Sequence, residues 1–282
     1  MTTDILSKYY RLPGMNVQLP TQGAFLPEGS VTFVNGNEVE VLPMRASDEM
    51  MLKNPDALMS GNAVEMLFQS CVPSITSPAD ISAPDMDVLL LAIRVATYGR
   101  VMEVETDCPE CSAHLAFDCN LPLMLQTQVN VDPVNEVRLT DDIVVYLRPF
   151  TLRDVGELSR RVFDEERRLR LLESDETLTE DQRQPHRNAL YKRMAELQSK
   201  MSSNTITKIV VPEGEVVDRA AIAGFMANTS AAWARKIDEK QFEMSKAGID
   251  KTVPAVCEHC NHEWNTAVEF DPTTFFGQGS SE

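Results

Sequence analysis

Two Cys-X-X-Cys turns constrain this chain more than any other feature of its sequence. The first is Cys108-Pro109-Glu110-Cys111 and the second is Cys257-Glu258-His259-Cys260, and 145 residues lie between them. Each turn follows a strand-like segment and precedes another that ends in Phe-Asp, at Phe117-Asp118 and at Phe270-Asp271. This shared context predicts two β-hairpins, each with two thiols on its turn.

Two such turns together offer four thiolates, the ligand set that zinc binds as a tetrahedron with Zn–S distances of about 2.3 Å. A usual zinc ribbon has roughly 15–20 residues between its two pairs, so this ribbon would be split by a long insertion. A catalytic zinc keeps one position open, whereas four cysteines fill the shell. The sequence therefore predicts a structural zinc held by Cys108, Cys111, Cys257 and Cys260.

Other roles for the cysteines and nearby histidines are weaker. A thioredoxin-like redox pair needs its turn at the start of a helix, and neither turn has that context. His259 and His262 lie beside the second turn and either could replace a thiolate, although we expect both on its surface. Cys71 and Cys119 have no partner at metal-binding spacing, so we expect them to be small buried residues.

Composition argues against several classes of protein. The 282 residues carry a net charge of −17, whereas a nucleic-acid-binding face is basic. No apolar run approaches the roughly 20 residues of a membrane helix, and the first residues lack a signal-peptide pattern. We therefore expect a protein of a reducing compartment. The sequence also contains no P-loop, GxSxG, HExxH or dinucleotide fingerprint, which indicates a non-enzymatic protein.

The order of predicted elements indicates an α+β fold with a mostly helical body, short β-hairpins and the split ribbon. A hairpin is predicted from Val31–Val34 and Glu38–Leu42, because Asn35-Gly36 favours a tight turn. The predicted regions are an extended arm (1–30), a hairpin with helices (31–100), the split ribbon (101–125 with 250–276), a strand with a helical insertion (140–248) and a flexible tail (277–282).

Aromatic residues near both ends are candidates for partner binding. Phe275 and Phe276 form a pair near the end of the chain, and Phe25 lies in the predicted arm. An exposed pair would dock on another subunit, but packing in the core beside the metal explains the same pair. Both interpretations stay open at this point.

The motifs resemble those of T4-like bacteriophage baseplate hub and hub assembly proteins. The resemblance is most specific at 19–45, which includes Leu19–Pro27, at 86–118, and at 253–276. It implies a structural or assembly component of a contractile-tail baseplate hub, located in the virion tail or in the host cytoplasm during assembly. Expected partners are other tail or baseplate proteins, such as tape-measure or hub subunits, or further copies of the chain.

A zinc-ribbon nucleic-acid adaptor is the alternative. Such ribbons bind through basic and aromatic faces. The two turns here are flanked by Asp107, Glu110, Glu258 and Glu263 instead. We therefore expect no binding to nucleic acid at moderate salt.

Overall fold

A computed structural model describes residues 11–12, 14–54, 62–174, 180–268, 270 and 275–276. The protein has an α+β fold, as the sequence predicts. It divides into two compact units. The first comprises Met1–Leu58, Ala63–Val131 and Lys246–Glu282, and the second comprises Met59–Asn62 and Asp132–Ser245. Within the described ranges, no helix is long and apolar enough to cross a membrane.

The described elements are short strands and helices of very different lengths. The strands are β1 (Met15–Gln18), β2 (Glu38–Val41), β3 (Val101–Asp107), β4 (His114–Asn120), β5 (Asn135–Arg138), β6 (Val144–Leu147), β7 (Ile206–Val211), β8 (Gly214–Val216), β9 (Thr252–Val256) and β10 (Glu263–Ala267). The helices are α1 (Ala46–Leu52), α2 (Asn62–Cys71), α3 (Ala83–Tyr98), α4 (Leu121–Gln126), α5 (Leu152–Glu173), α6 (Glu180–Thr205), α7 (Arg219–Asn228) and α8 (Ala231–Ser245), with one 3₁₀ turn at Pro78–Asp80.

The first unit is built around α3, whose residues from Val88 to Arg94 are all buried. The helix begins with Pro84 in its first turn and ends before Gly99, whose φ of 97° favours glycine. Asp85 accepts hydrogen bonds from the Thr21 amide at 3.0 Å, the Thr21 hydroxyl at 2.5 Å and the Ser82 hydroxyl at 2.7 Å. These bonds fix the segment around Thr21 against the start of the central helix.

Three antiparallel hairpin-like pairs complete the first unit, formed by β1 with β2, β3 with β4, and β9 with β10. The predicted hairpin of Val31–Val34 with Glu38–Leu42 is wrong in its first strand. The Asn35-Gly36 turn does form, since the Val34 amide donates to the Glu38 carbonyl at 2.9 Å. However, β2 pairs with β1, which places the buried Val17 opposite the buried Val39. This non-local apolar pairing outweighs the local turn signal.

The second unit has one antiparallel sheet in the order β5-β6-β7-β8. Its buried core joins this sheet to α7 and α8, through residues such as Val145, Ile206, Ile222 and Ile237. The long helices α5 and α6 follow one another in the chain. The helix α6 begins at Glu180 and contains Pro185.

Helix α5 begins with a capping box. The Thr151 hydroxyl accepts from the Asp154 amide, and the Asp154 carboxylate accepts from the Thr151 amide at 3.0 Å. The same carboxylate accepts two hydrogen bonds from Arg148, from Nη1 at 2.6 Å and from Nη2 at 3.3 Å. Burial raises the pKa of Asp154, but the Arg148 guanidinium and the Thr151 donors outweigh it, so that the pKa lies below its ordinary value.

Candidate metal centre

Two hairpins of the first unit carry the four candidate ligands on their turns. In the first hairpin, Asp107 of β3 pairs with His114 of β4, and the turn of residues 108–113 lies between them. In the second, Val256 of β9 pairs with Glu263 of β10, and residues 257–262 form the turn. The two turns have the same length and place their cysteines at the same positions.

The backbone hydrogen bonds of the two turns also match. The Cys108 amide donates to the Ala113 carbonyl at 2.9 Å, as the Cys257 amide does to the His262 carbonyl. The next residue after each second cysteine has a left-handed conformation, with φ of 57° at Ser112 and 55° at Asn261. Each turn therefore adopts one tight conformation, set by its own local bonds, that presents two sulfurs to the same side.

Contacts outside the turns hold the second hairpin in place. The Thr106 and Thr266 hydroxyl oxygens lie 3.2 Å apart, which joins β3 to β10. Lys251, at the start of the second hairpin, forms a 2.6 Å ion pair with Asp87 of α3. The two Cys-X-X-Cys turns, residues 108–113 and 257–262, are called knuckles below. They are thus positioned by contacts that do not involve sulfur.

The four sulfur atoms meet in one cluster, although 145 residues separate the two turns. All four Sγ atoms lie within 4.8 Å of one another, and the pairs Cys108–Cys260 and Cys111–Cys257 are 3.6 Å apart. A tetrahedron with metal–sulfur bonds of about 2.3 Å has sulfur–sulfur edges of about 3.8 Å. The donor set and its spacing therefore fit a tetrahedral metal ion.

Backbone amides favour the charged thiolate at the first cysteine of each turn. Burial raises the pKa of Cys257, but donors from the amides of Cys260 and His259 outweigh it and lower the pKa to about 7. The pKa of Cys108 is lowered in the same way, as the amides of Cys111 and Glu110 outweigh its burial. Such N–H···S bonds are a regular means of stabilising thiolate ligands.

The second cysteine of each turn behaves differently. The His262 amide lowers the pKa of Cys260, but loss of hydration and the neighbouring sulfurs outweigh it and raise the pKa to about 12. The Ala113 amide lowers the pKa of the exposed Cys111, but partial loss of hydration and the sulfurs of Cys257 and Cys108 outweigh it, so that this pKa is also raised. Four thiolates this close repel one another, and a divalent cation removes that conflict by its own charge.

Residues 31–277 match the family described as T4 bacteriophage base plate protein. The chain belongs to this family. The match covers most of the chain, including both knuckles, and it confirms the resemblance to T4-like baseplate proteins that the motifs indicate. No curated protein and no solved structure matches the chain.

Other cysteines and histidines of this baseplate protein lie outside the cluster. Across the described ranges, the four knuckle cysteines form the only group of three or more His, Cys, Asp or Glu side chains able to hold a metal. Cys71 and Cys119 are buried, as expected. Burial raises the pKa of Cys71 to about 11, which keeps its thiol protonated. His262 packs against Trp264, with ring centroids 5.9 Å apart.

The aromatic residues considered as partner contacts lie in different environments. Phe275 and Phe276 expose only 2% and 3% of their surface, and their rings pack edge to face at 5.2 Å. Both therefore lie in the interior, whereas Phe25 is half-buried.

Arg94 is a structural residue that the sequence argument overlooked. It is almost fully buried in α3, donates a hydrogen bond to the Phe275 carbonyl, and lies 5.2 Å from the Phe275 ring centroid. An arginine inside an otherwise apolar helical run was the available signal, because a buried charge needs partners. Arg94 thus ties the end of the chain to the central helix.

Proposed function

We propose that this chain is a non-enzymatic structural or assembly component of the baseplate hub of a contractile-tail phage, and that Cys108, Cys111, Cys257 and Cys260 bind one structural zinc ion. Membership of the base plate protein family supports the structural role. The observation that carries the proposal is the meeting of two knuckles that are 145 residues apart and both lie within the family match.

Zinc is favoured by the chemistry of the donors. Thiolates suit zinc and iron–sulfur centres, whereas magnesium and calcium prefer oxygen ligands. Four cysteine ligands leave no position for water or substrate, which makes the ion structural. Cys108 and Cys257 are buried, with 1% and 0% of their surface exposed, whereas Cys111 and Cys260 are exposed.

The metal would act as a staple at the base of a long insertion. Residues 132–245, which form nearly all of the second unit, lie between the two knuckles in the sequence. The chain segments leading into and out of this insertion pair with each other, as Val129 and Gly248 exchange hydrogen bonds of 2.7 and 3.0 Å. A second closure at the knuckles would fix these two segments of the first unit relative to each other, which suits a building block of a large assembly.

Partners in this proposal are other tail or baseplate proteins, including hub or tape-measure subunits and further copies of the chain. The protein would lie in the tail baseplate, or in the host cytoplasm while the baseplate is assembled. Phe25 remains a proposed contact because its side chain is half-buried rather than enclosed. Phe275 and Phe276 would reach a partner only if the end of the chain left the interior.

A nucleic-acid adaptor is not favoured by the surfaces of the hairpins. Glu103 lies directly opposite Asp118 in the β3–β4 pair, and both are exposed. Glu110, Glu258 and Glu263 are exposed on or beside the turns. A phosphate backbone would meet carboxylates on these faces.

A complementation experiment tests the proposal. Phage that lack the gene would be supplied with the wild-type chain, with a Cys108→Ser/Cys257→Ser variant, or with the matched control Cys119→Ser. We expect baseplates to form with the wild type and the control but not with the double variant. Normal baseplates without any of these chains would disprove the structural role, while full rescue by the double variant would disprove only the role of the metal.

A further inference from the structure

The second unit has an open apolar groove of about 610 Å³ between α5, α6 and α8. The apolar side chains that line it are half-buried rather than enclosed: Phe150, Leu158, Val162, Met194, Leu197 and Met201. Phe242 stands at its rim with 62% of its surface exposed. Methionines adapt their shape readily, and they are frequent at surfaces that receive another helix.

The spacing of the lining residues indicates the shape of an occupant. The α6 residues 194, 197 and 201 and the α8 residues 238, 241, 242 and 245 follow the i, i+3, i+4, i+7 pattern of one helical face. Each face thus spans about two turns, or roughly 10 Å along its helix. A groove with helical walls of this length fits the apolar side of a further helix.

Gln241 gives the groove a polar requirement. Its Nε2 donates to the Arg148 carbonyl at 3.0 Å, and because a carbonyl only accepts, this bond fixes the orientation of the amide. The Gln241 side chain lines the groove and is only 5% exposed, yet its Oε1 has no hydrogen-bond donor within the described part of the chain. Buried acceptors are normally paired, so the site lacks a donor.

Asp238 adds a charge beside this acceptor. It precedes Gln241 by one turn of α8, is exposed, and is the single charged residue among the described side chains of the groove. One of its carboxylate oxygens accepts from Ser202 at 3.0 Å. A cationic donor that enters the groove would therefore meet a carboxylate and an unpaired amide oxygen on the same helical face.

We propose that this groove binds an amphipathic helix of another tail protein, whose apolar face carries one lysine or arginine directed at Asp238 and at Oε1 of Gln241. The identity of the partner as a tail protein rests on the proposed function above. The volume lies within the range of about 300–1,000 Å³ in which binding sites enclose a compact apolar group. The net charge of −17 favours a basic partner over a second copy of the chain.

Binding of designed peptides to the full chain tests this proposal. Three fluorescent helical peptides of about 18 residues would share one leucine face and differ at its central position, which is Arg, Leu or Glu. Fluorescence anisotropy should show the Arg peptide binding roughly tenfold more tightly than the Leu peptide, and the Glu peptide binding most weakly. The Arg peptide forms a charge-assisted hydrogen bond with Asp238, the Leu peptide forms none, and the Glu peptide is repelled by the carboxylate.

Variants of the chain locate the binding. Asp238→Asn should remove most of the preference for the Arg peptide, and Phe242→Ser should weaken all three. Glu239→Gln is the matched control, since Glu239 is an exposed carboxylate of the same helix that does not line the groove. No saturable binding, equal binding of the Arg and Glu peptides, or binding only of a small apolar dye would overturn the proposal.

A photo-reactive benzoylphenylalanine at position 242 identifies the natural occupant in purified baseplates. We expect a cross-link to a helical segment of another tail protein that combines apolar residues with a lysine or arginine. A cross-link only to a second copy, or to no other tail protein, would overturn the groove assignment. The protein would still be detected in those baseplates by mass spectrometry, which keeps the test of the hub role separate.

Discussion

Replacing one cysteine of the centre should remove the metal, and the expected bond length follows from the structure. Two of the sulfur–sulfur distances, Cys108–Cys260 and Cys111–Cys257, are 3.6 Å. For a regular tetrahedron with that edge, the centre lies about 2.2 Å from each sulfur, close to the usual Zn–S distance of about 2.3 Å. X-ray absorption of the purified protein should therefore show four sulfurs near this distance and no nitrogen or oxygen ligand.

The loss on mutation should be specific to the knuckles. Native mass spectrometry should find one zinc ion per wild-type chain, and Cys257→Ser should lose most of it, because a hydroxyl is a poor replacement for a thiolate. Cys119→Ser is the control, since Cys119 is buried next to Met124 and lies outside the sulfur cluster. A nitrogen ligand in the absorption spectrum, or unchanged zinc in Cys257→Ser, would refute the four-sulfur site.

Two further predictions concern stability. Asp154→Asn should cost about 2 kcal/mol, because it breaks a largely buried ion pair, and urea unfolding should show no comparable loss for the exposed Asp142→Asn. The pKa of Asp154 is lowered, so its carboxylate stabilises the fold fully above the ordinary aspartate pKa, and this stabilisation is lost as pH falls through the lowered value. The difference in unfolding free energy between Asp154→Asn and the wild type should therefore shrink in acid. Gly14→Ala should destabilise by about 1–3 kcal/mol, because the added Cβ would lie 2.3 Å from the Cβ of Ala96. The helical Gly224→Ala meets open space and should stabilise by about 0.5–1 kcal/mol, and equal melting temperatures of the two glycine variants would contradict this reasoning.

The clustering of the four cysteines could be predicted because the information for each turn is local and occurs twice. Each Cys-X-X-Cys turn has its own flanking strands, and the left-handed positions at Ser112 and Asn261 follow from the turn itself. Only the meeting of the two turns depends on residues far apart in sequence. It could be inferred because structural zinc takes four ligands and each turn offers two. Helix α3 could also be predicted from the sequence, since Pro84 and Gly99 mark the two ends of its apolar run.

Pairings between remote segments could not be predicted in the same way. The partner of β2 is β1, which lies in a proline- and glycine-rich segment that reads as an arm, and its Val17–Val39 contact depends on the buried face of the finished sheet. The groove is a second case. The bond between Gln241 and Arg148 joins residues 93 positions apart, and nothing near Gln241 in the sequence shows that its other amide atom is left without a donor.

These differences separate two roles within one chain. Where local bonds determine a conformation, as in the knuckles, the residues serve the rigidity of the first unit, and a metal would add to order that Thr106, Thr266 and Lys251 already support. At Gln241, by contrast, the structure leaves a buried acceptor without a described donor, beside half-buried apolar side chains of the groove. In a baseplate protein, such a site would be completed most simply by a neighbour, because the donor that folding does not provide can be supplied when the subunit joins its partner.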